Sequence, residues 1–167
     1  MVVIEASRKG RPGLARLEKT DADAATSLFS RLSPESVYRR FFAPVSRPEL
    51  LRASLLQIDQ CNREAVASVE GGEVVGIAQY SRLHESRYAD LAIVVADEWQ
   101  RQGLGTRLVA ALAKLAADQG IEGFEVDIQG DNYGALRLLK RCAPGVRLAF
   151  SAGIGEALIP LPRDGEQ

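Results

Sequence analysis

The stretch from Tyr88 to Leu115 constrains the fold more than any other part of the chain. Residues 91–95 are uncharged and rich in β-branched side chains, which is typical of a buried strand. A short polar turn follows, and then residues 100–106, which include two glycines. Apolar side chains then recur with helical spacing, at Leu108, Ala111, Leu112 and Leu115. The pattern predicts a strand, a glycine loop and a helix in succession.

The glycine loop has the chemistry of an anion-binding site. Backbone N–H groups at the start of a helix lack an intrahelical acceptor, and the helix dipole adds partial positive charge there, so a phosphate can bind to them. Gly103 and Gly105 carry no side chain that would keep an anion away, and Arg101 and Arg107 add positive charge. The loop lacks the Gly-Lys-Ser/Thr ending of a P-loop, and Leu108 stands where a Rossmann fingerprint has its third glycine.

Val95 followed by Gln100-x-x-Gly103-x-Gly105 resembles motif A of the GNAT superfamily of N-acetyltransferases, the loop that binds the pyrophosphate of acetyl-coenzyme A. The alternative is a tight strand-to-helix turn that binds nothing. The resemblance implies two sets of cofactor-binding residues. The pyrophosphate would be held by the loop, namely Gln100, Arg101, Gln102, Gly103, Leu104, Gly105 and Thr106, and the pantetheine arm would pair with the strand residues Ile93, Val94 and Val95.

Length and composition limit the class of protein. A chain of 167 residues suits one domain, residues 1–167, with 46% apolar and 26% charged residues. A formal net charge of -1 gives no broad field for nucleic acid or an anionic membrane. Cys61 and Cys142 lack metal-ligand spacing and are expected to be reduced thiols in the core or partly buried, with no metal bound. Without a signal peptide or a long apolar run, a cytoplasmic location is expected.

The pattern along the rest of the chain predicts a mixed α/β fold. Expected strands are a short N-terminal arm and residues 14–18, 63–69, 74–83, 121–128, 146–151 and 155–161; expected helices are residues 20–32, 34–42, a third opened by Ser46 and Arg47, and 131–141. Pro44 is expected to stop the second helix, and Gly71-Gly72 predicts a hairpin turn between the strands at 63–69 and 74–83. The resemblance to GNAT enzymes implies a mostly antiparallel central sheet in which two parallel strands, near 90–95 and 121–128, splay apart and admit the pantetheine arm.

Residues 28–42 resemble a segment of bacterial protein lysine acetyltransferases, GNAT domains that often act on acyl-CoA synthetases. The alternative is a well-capped amphipathic helix, with a Ser33 cap, that packs Tyr38 and Phe41 into the core. In GNAT folds this region forms a wall of the acceptor site. Arg39 and Arg40 are therefore also candidates for contact with an acidic or carboxylate-bearing partner.

Acetyl transfer to an amine needs a proton acceptor, because a lysine amine arrives as an ammonium with a pKa of about 10.4. The lysine acetyltransferases that this chain resembles have a glutamate just before the cofactor strand, and Asp90 occupies that position here. Asp90 is therefore the candidate catalytic base, acting directly or through a water; the alternative is an exposed acid at a strand start. Being one methylene shorter than glutamate, Asp90 departs from the family pattern. His84 and Glu85 are alternative bases.

Asn132 matches the asparagine of GNAT motif B, which contacts the cofactor arm or its surroundings; the alternative is a helix N-cap. Leu139 stands where many GNAT enzymes have a tyrosine that protonates the departing thiolate, and Ala143-Pro144-Gly145 replaces the family's Gly-Phe. No general acid is therefore predicted. Free coenzyme A is a tolerable leaving group, because thiol pKa values lie near about 8.5.

These observations predict an acetyl-CoA-dependent N-acetyltransferase that acts by direct transfer in a ternary complex. The favoured acceptor is a protein lysine, for instance on an acyl-CoA synthetase. A small-molecule amine acetyltransferase shares the whole cofactor half, and a non-catalytic acyl-CoA-binding module is a third alternative, motivated by Asp90 and Leu139. The sequence leaves the acceptor, the length of the acyl group and the oligomeric state open.

Overall fold

The centre of the fold is a hairpin that forms around two glycines. In the computed structural model, which describes residues 1–42 and 48–162, β3 (Arg63–Glu70) and β4 (Glu73–Arg82) pair in antiparallel fashion. Gly71 and Gly72 connect them with φ angles of 58° and 83°, which side chains rarely tolerate. The predicted hairpin is thus confirmed.

The other elements follow the predicted order with shifted ends. The remaining strands are β1 (Val2–Glu5), β2 (Gly13–Arg16), β5 (Tyr88–Val95), β6 (Gly123–Gln129), β7 (Ala149–Ser151) and β8 (Ile154–Pro160). The helices are α1 (Ala22–Thr26), α2 (Pro34–Phe41), α3 (Glu49–Leu55), α4 (Leu104–Asp118) and α5 (Tyr133–Cys142). No helix in the described ranges is long and apolar enough to cross a membrane.

The eight strands form one sheet in the order β1-β2-β3-β4-β5-β6-β8-β7. Among the strands of the described residues, only β5 and β6 run parallel, and they pair over three residues, from Tyr88 opposite Gly123 to Asp90 opposite Glu125. Past Asp90, β5 continues along β4 as far as Val95, while β6 pairs with β8. The two parallel strands therefore splay apart, which confirms the predicted mixed α/β sheet.

Apolar side chains form a core on each face of the sheet. On one face, α4 contributes Leu104, Leu108 and Leu112, which pack with Phe124 of β6. On the other face, α1 and α3 pack against alternate residues of β3, β4 and β5, including the buried Val94. Strand alternation thus assigns successive residues of β5 to opposite cores.

Several predictions in the N-terminal third were wrong. Residues 20–32 do not form one helix, because α1 lies between two short 3₁₀ turns, Lys19–Asp21 and Ser27–Arg31. Tyr38 is 46% exposed and does not pack in the core, where Val37 is buried instead. The Ser33 cap is confirmed, since its hydroxyl accepts a hydrogen bond from the Ser36 N–H at 3.2 Å.

Two further expectations concern a cysteine and the entrance to α3. Cys61 is exposed and not buried, whereas Cys142 is partly buried as expected. Exposure of Cys61 follows from its place in the loop that precedes β3, outside both cores. The predictions for Pro44, Ser46 and Arg47 lie outside the described residues.

Candidate functional site: a groove between two splayed strands

The start of α4 faces a groove, and the loop that leads into this helix has the backbone conformation expected of an anion-binding site. Gly103 caps the helix with φ 80°, and no heavy atom lies within 4 Å of the position where its Cβ would be. Arg101 also has a positive φ, 60°. The two left-handed residues turn the chain sharply from the end of β5 into α4, and strained backbone of this kind concentrates at binding sites.

Two residues of this region have other roles than expected. A Cβ on Gly105 would lie 3.2 Å from a methyl carbon of Leu138, so this glycine allows α4 and α5 to pack closely. The Arg107 guanidinium bonds to the Glu5 carboxylate at 2.9 Å and to the Pro12 carbonyl at 3.0 Å. Its charge is therefore neutralised at the N-terminal arm, and the prediction that Arg107 adds charge to the loop was wrong.

A cavity of about 380 Å³ lies in front of the glycine loop and is named the cofactor groove below. Of the predicted cofactor residues, it is lined by Ile93, Val94, Val95, Gln100, Arg101, Gly103, Leu104, Gly105, Thr106 and Asn132. Gln102 does not line it, because its side-chain amide donates to the Glu98 carbonyl at 2.8 Å. Ten predicted residues from two separate segments thus surround one groove.

Arginines from three elements line the cofactor groove, and sequence reasoning missed part of this set. Arg39 and Arg40 come from α2, Arg101 from the loop, and Arg137 and Arg141 from α5. Arg137 and Arg141 are four residues apart and thus share one face of their helix, which was the available signal. The resulting positive charge suits a phosphate-bearing ligand.

Hydrogen bonds tie the loop to the first turn of α2. The Gln100 amide donates to the Val95 carbonyl and to the Ser36 hydroxyl, both at 3.1 Å. The Ser33 N–H donates to the Asp97 carboxylate at 3.2 Å. Partial burial acts to raise the pKa of Asp97, but hydrogen bonds from Ser33 and Ser36 outweigh it and lower that pKa below its ordinary value. The ionised carboxylate therefore anchors α2 beside the groove.

The splay of β5 and β6 leaves a space between them, called the gap below. The edge of β5 that faces this gap is available for pairing. Its ladder with β6 ends at Asp90, and residues 91–95 have no strand partner on that side within the described ranges. Among the three residues expected to pair with a pantetheine arm, the Val95 carbonyl already accepts a hydrogen bond from Gln100. An extended ligand with amide groups could add to this edge as a further strand does.

A second cavity, of about 880 Å³, continues from the cofactor groove through the gap and is named the acceptor cavity below. The two share Ile93, Asn132, Leu138 and both arginines of α2. Asp90 lines the acceptor cavity and is exposed. Although the residue is exposed at the surface, protein atoms around the cavity partly desolvate its carboxylate, and this, together with the nearby Asp127 carboxylate, raises the pKa of Asp90 above its ordinary value. The predicted base thus lies beside the gap and holds its proton more readily than a free aspartate.

Three more carboxylates share the face of Asp90. Glu125 is its direct partner across the parallel pair, Asp127 lies two residues further along β6, and Glu156 is paired with Asp127 on β8. Paired residues and residues two apart point to the same side of a sheet. All four line the acceptor cavity. The sequence showed Glu125 and Asp127 only as the polar half of an alternating strand, so their meeting with Asp90 was missed.

Asn132 is the N-cap of α5, as the alternative interpretation of this residue predicted. Its amide oxygen caps α5 by accepting the Ala135 N–H at 3.1 Å, and it also accepts a hydrogen bond from Arg39 at 3.2 Å. Arg39 is further paired with Glu35 one helical turn away. Asn132 lines both cavities, so it joins α2 to α5 across the site.

The remaining candidates for proton transfer differ in whether they line a cavity. His84 and Glu85 are exposed in the loop before β5 and line neither cavity, which leaves Asp90 as the base candidate with the best position. Leu139 is buried and lines the acceptor cavity, where the GNAT resemblance placed a tyrosine in many enzymes. A proton donor for the thiolate is thus absent from that position.

The splayed parallel strands, the glycine loop at a helix start and the through-running gap define an acyltransferase fold of GNAT type. The model of the Acetyltransferase (GNAT) family matches residues 29–143, and the chain belongs to this family.

The chain is similar to Acetyltransferase Pat of Mycolicibacterium smegmatis, with 29% identity over 65% of this chain. It spans 34% and 66% of the lengths of two curated relatives that it matches. Among solved structures, the GNAT domain of S. lividans PAT has a TM-score of 0.82 at 23% identity, with 96% of this chain and 95% of that one covered. A phosphinothricin acetyltransferase from Sinorhizobium meliloti, solved in complex with acetyl-CoA, has a TM-score of 0.71 at 16% identity, covering 94% and 92%.

Proposed function

We propose that the chain is an acetyl-CoA-dependent N-acetyltransferase that modifies a protein lysine by direct transfer in a ternary complex. The observation that carries this proposal is the end of the β5–β6 ladder at Asp90, which opens a gap between a groove lined by arginines and a cavity with an acidic face. Membership of the Acetyltransferase (GNAT) family supports the reaction class.

The cofactor groove fits coenzyme A in charge and shape. A diphosphate would lie on the amides of residues 101–106 at the start of α4, where Gly103 leaves open space and Arg101 adds positive charge. The unpaired edge of Ile93 and Val94 would accept the amide-bearing arm. The cofactor supplies the acetyl group as an activated thioester.

In the acceptor cavity, Asp90 would take the proton from the incoming ammonium, directly or through one water. Its raised pKa brings it closer to that task than an ordinary aspartate, because a stronger base accepts a proton more readily. Glu125, Asp127 and Glu156 would attract the cationic acceptor into the cavity. No side chain is assigned as the acid, since Leu139 occupies the position of the family's tyrosine.

The preference for a protein lysine rests on two likenesses. The chain is similar to Acetyltransferase Pat and to the GNAT domain of S. lividans PAT, and residues 28–42 resemble the corresponding segment of bacterial protein lysine acetyltransferases. The segment forms α2 and the turn before it, and it walls both cavities. An acyl-CoA synthetase is the acceptor protein that this resemblance suggests.

Two measurements together test the proposal. Calorimetric titration with acetyl-CoA is expected to show binding, and an assay of coenzyme A release is expected to respond to lysine-bearing proteins, including an acyl-CoA synthetase. Release with free amines but with no protein would indicate a small-molecule enzyme. Binding without release from any acceptor would indicate a non-catalytic module, and absence of binding would contradict the proposal as a whole.

A further inference from the structure

Arg40 is a charged side chain of the site to which the proposed reaction assigns no role. It lies in the last turn of α2 and lines both the cofactor groove and the acceptor cavity, so it stands where they meet. Its guanidinium carbon lies 4.8 Å from the centre of the Phe41 ring. Within residues 1–42 and 48–162, no carboxylate forms an ion pair with Arg40, whereas the adjacent Arg39 is paired with Glu35 and bonded to Asn132.

The environment of Arg40 makes this lack of a partner costly. Burial alone lowers the pKa of Arg40 to about 10, with no contribution from a neighbouring carboxylate. Arg40 is of intermediate exposure, so its side chain is only partly withdrawn from water. It still carries its charge at neutral pH, and partial desolvation of a charge is costly unless an anion compensates it. Hydrogen bonds from Ser33 to Asp97 and from Gln100 to Ser36 hold α2 in this position. The fold thus maintains a cation that can gain considerably from an anionic ligand.

Two kinds of anion could compensate Arg40 at this junction, the phosphates of the cofactor or a carboxylate of the acceptor. The phosphate end of the groove has its own cations, because Arg101, Arg137 and Arg141 line the cofactor groove and not the acceptor cavity. Arg40 instead shares the acceptor cavity with Asp90. Its position therefore favours the acceptor over the cofactor.

We propose that Arg40 binds a carboxylate carried by the acceptor close to the amine that is acetylated. This inference rests on the proposed function and specifies its substrate class. The acidic face would receive the ammonium, and Arg40, which lines the same cavity where it meets the cofactor groove, would receive the carboxylate. An acceptor with both charges matches both groups, and a guanidinium pairs with a carboxylate through two parallel hydrogen bonds.

The test measures binding separately from turnover. Matched acceptors are titrated calorimetrically onto the protein saturated with coenzyme A, which blocks reaction. The first pair is Nα-acetyl-lysine and its amide, which differ in a main-chain carboxylate. The second is a lysine peptide with an adjacent aspartate and the same peptide with asparagine. A charge-assisted contact predicts about ten- to a hundredfold tighter binding of the carboxylate form in at least one pair.

Variants assign that preference to one side chain. Arg40→Gln is expected to abolish the preference while weakening acetyl-CoA binding by no more than the about two- to fivefold expected for the other arginines that line the groove, and Arg40→Lys is expected to retain part of the preference. Arg8→Gln removes the same charge from an exposed position outside both cavities and is expected to retain the full preference. Thermal unfolding checks the fold of each variant, and loss of a partly buried charge that has no ion-pair partner among the described residues is not expected to lower the stability.

Three results would overturn the inference. One is equal binding of the matched acceptors by the unmodified protein, and a second is a preference that survives in Arg40→Gln. The third is a loss of acetyl-CoA affinity in Arg40→Gln of more than about tenfold, or a selective loss of succinyl-CoA binding relative to acetyl-CoA, which would assign the arginine to the donor. Failure of turnover with an intact, Arg40-dependent binding preference would instead contradict the proposed reaction and leave this inference standing.

Discussion

The cofactor groove and the acceptor cavity are continuous, yet they differ in the balance of charged side chains that line them and arise from the chain in different ways. The groove is lined by arginines around a helix start, and most of its predicted residues come from one stretch, residues 93–106. The acceptor cavity has an acidic face assembled from β5, β6 and β8. The difference teaches that, in the proposed reaction, local backbone would hold the anionic cofactor, whereas side chains brought together by the tertiary structure would select the cationic acceptor.

The largest effect is expected at Asp90, which belongs to the acidic side. Asp90→Asn keeps the size of the side chain but removes the base, so turnover is expected to fall by about a hundred- to ten-thousandfold, the usual contribution of a general base. Affinity for acetyl-CoA, measured by calorimetry, should remain as it was. Unchanged turnover would remove Asp90 from the mechanism. It would also contradict the assignment of cofactor binding to the groove and of proton transfer to the acceptor cavity.

The next effect concerns the basic side. Gly103→Val puts a β-branched residue at φ 80°, a conformation that costs about 1–3 kcal/mol. We expect the loop to reshape and affinity for acetyl-CoA to fall by about ten- to a hundredfold, as measured by titration. Gly72→Val is the matched control, because its φ of 83° lies in the β3–β4 hairpin, outside both cavities. The control should lower the unfolding temperature without weakening cofactor binding.

Smaller losses are expected for the arginines of α5. Arg137→Gln and Arg141→Gln should each weaken acetyl-CoA binding by about two- to fivefold, the range of a solvent-exposed ion pair, and less at high salt. Lys140→Gln removes a positive charge from the same helix outside the groove and should have no such effect. Equal effects of all three substitutions would show that the total positive charge of α5 determines cofactor affinity, and not the side chains that line the groove.

The smallest effect is a shift in pH dependence. Because Asp90 must be ionised to accept a proton, activity should fall as pH drops through its pKa, which burial and Asp127 raise. Asp127→Asn removes the repulsive charge, so the pKa of Asp90 falls and the acid limb of the kcat/KM profile moves to lower pH. Asp118→Asn, an exposed acid at the end of α4, should leave the limb in place. If the acid limb does not move in Asp127→Asn, the Asp127 carboxylate does not raise the pKa of Asp90.

The sequence predicted the elements whose signals are local. The Gly71–Gly72 hairpin, the Ser33 cap and the turn from β5 into α4 all rest on backbone conformations that nearby residues impose. It misplaced Tyr38 and merged α1 with the 3₁₀ turns around it, because helical spacing in residues 20–42 does not show which face meets the sheet.

By itself, the sequence determined that a buried strand leads through a glycine loop into a helix, since positive φ angles and apolar periodicity are properties of short segments. Only the tertiary structure decided which charges share the site. It turned Arg107 toward Glu5, set Gly105 against Leu138, and gathered the carboxylates beside Asp90. Strand register and helix packing make these choices, and they join residues that are distant along the chain.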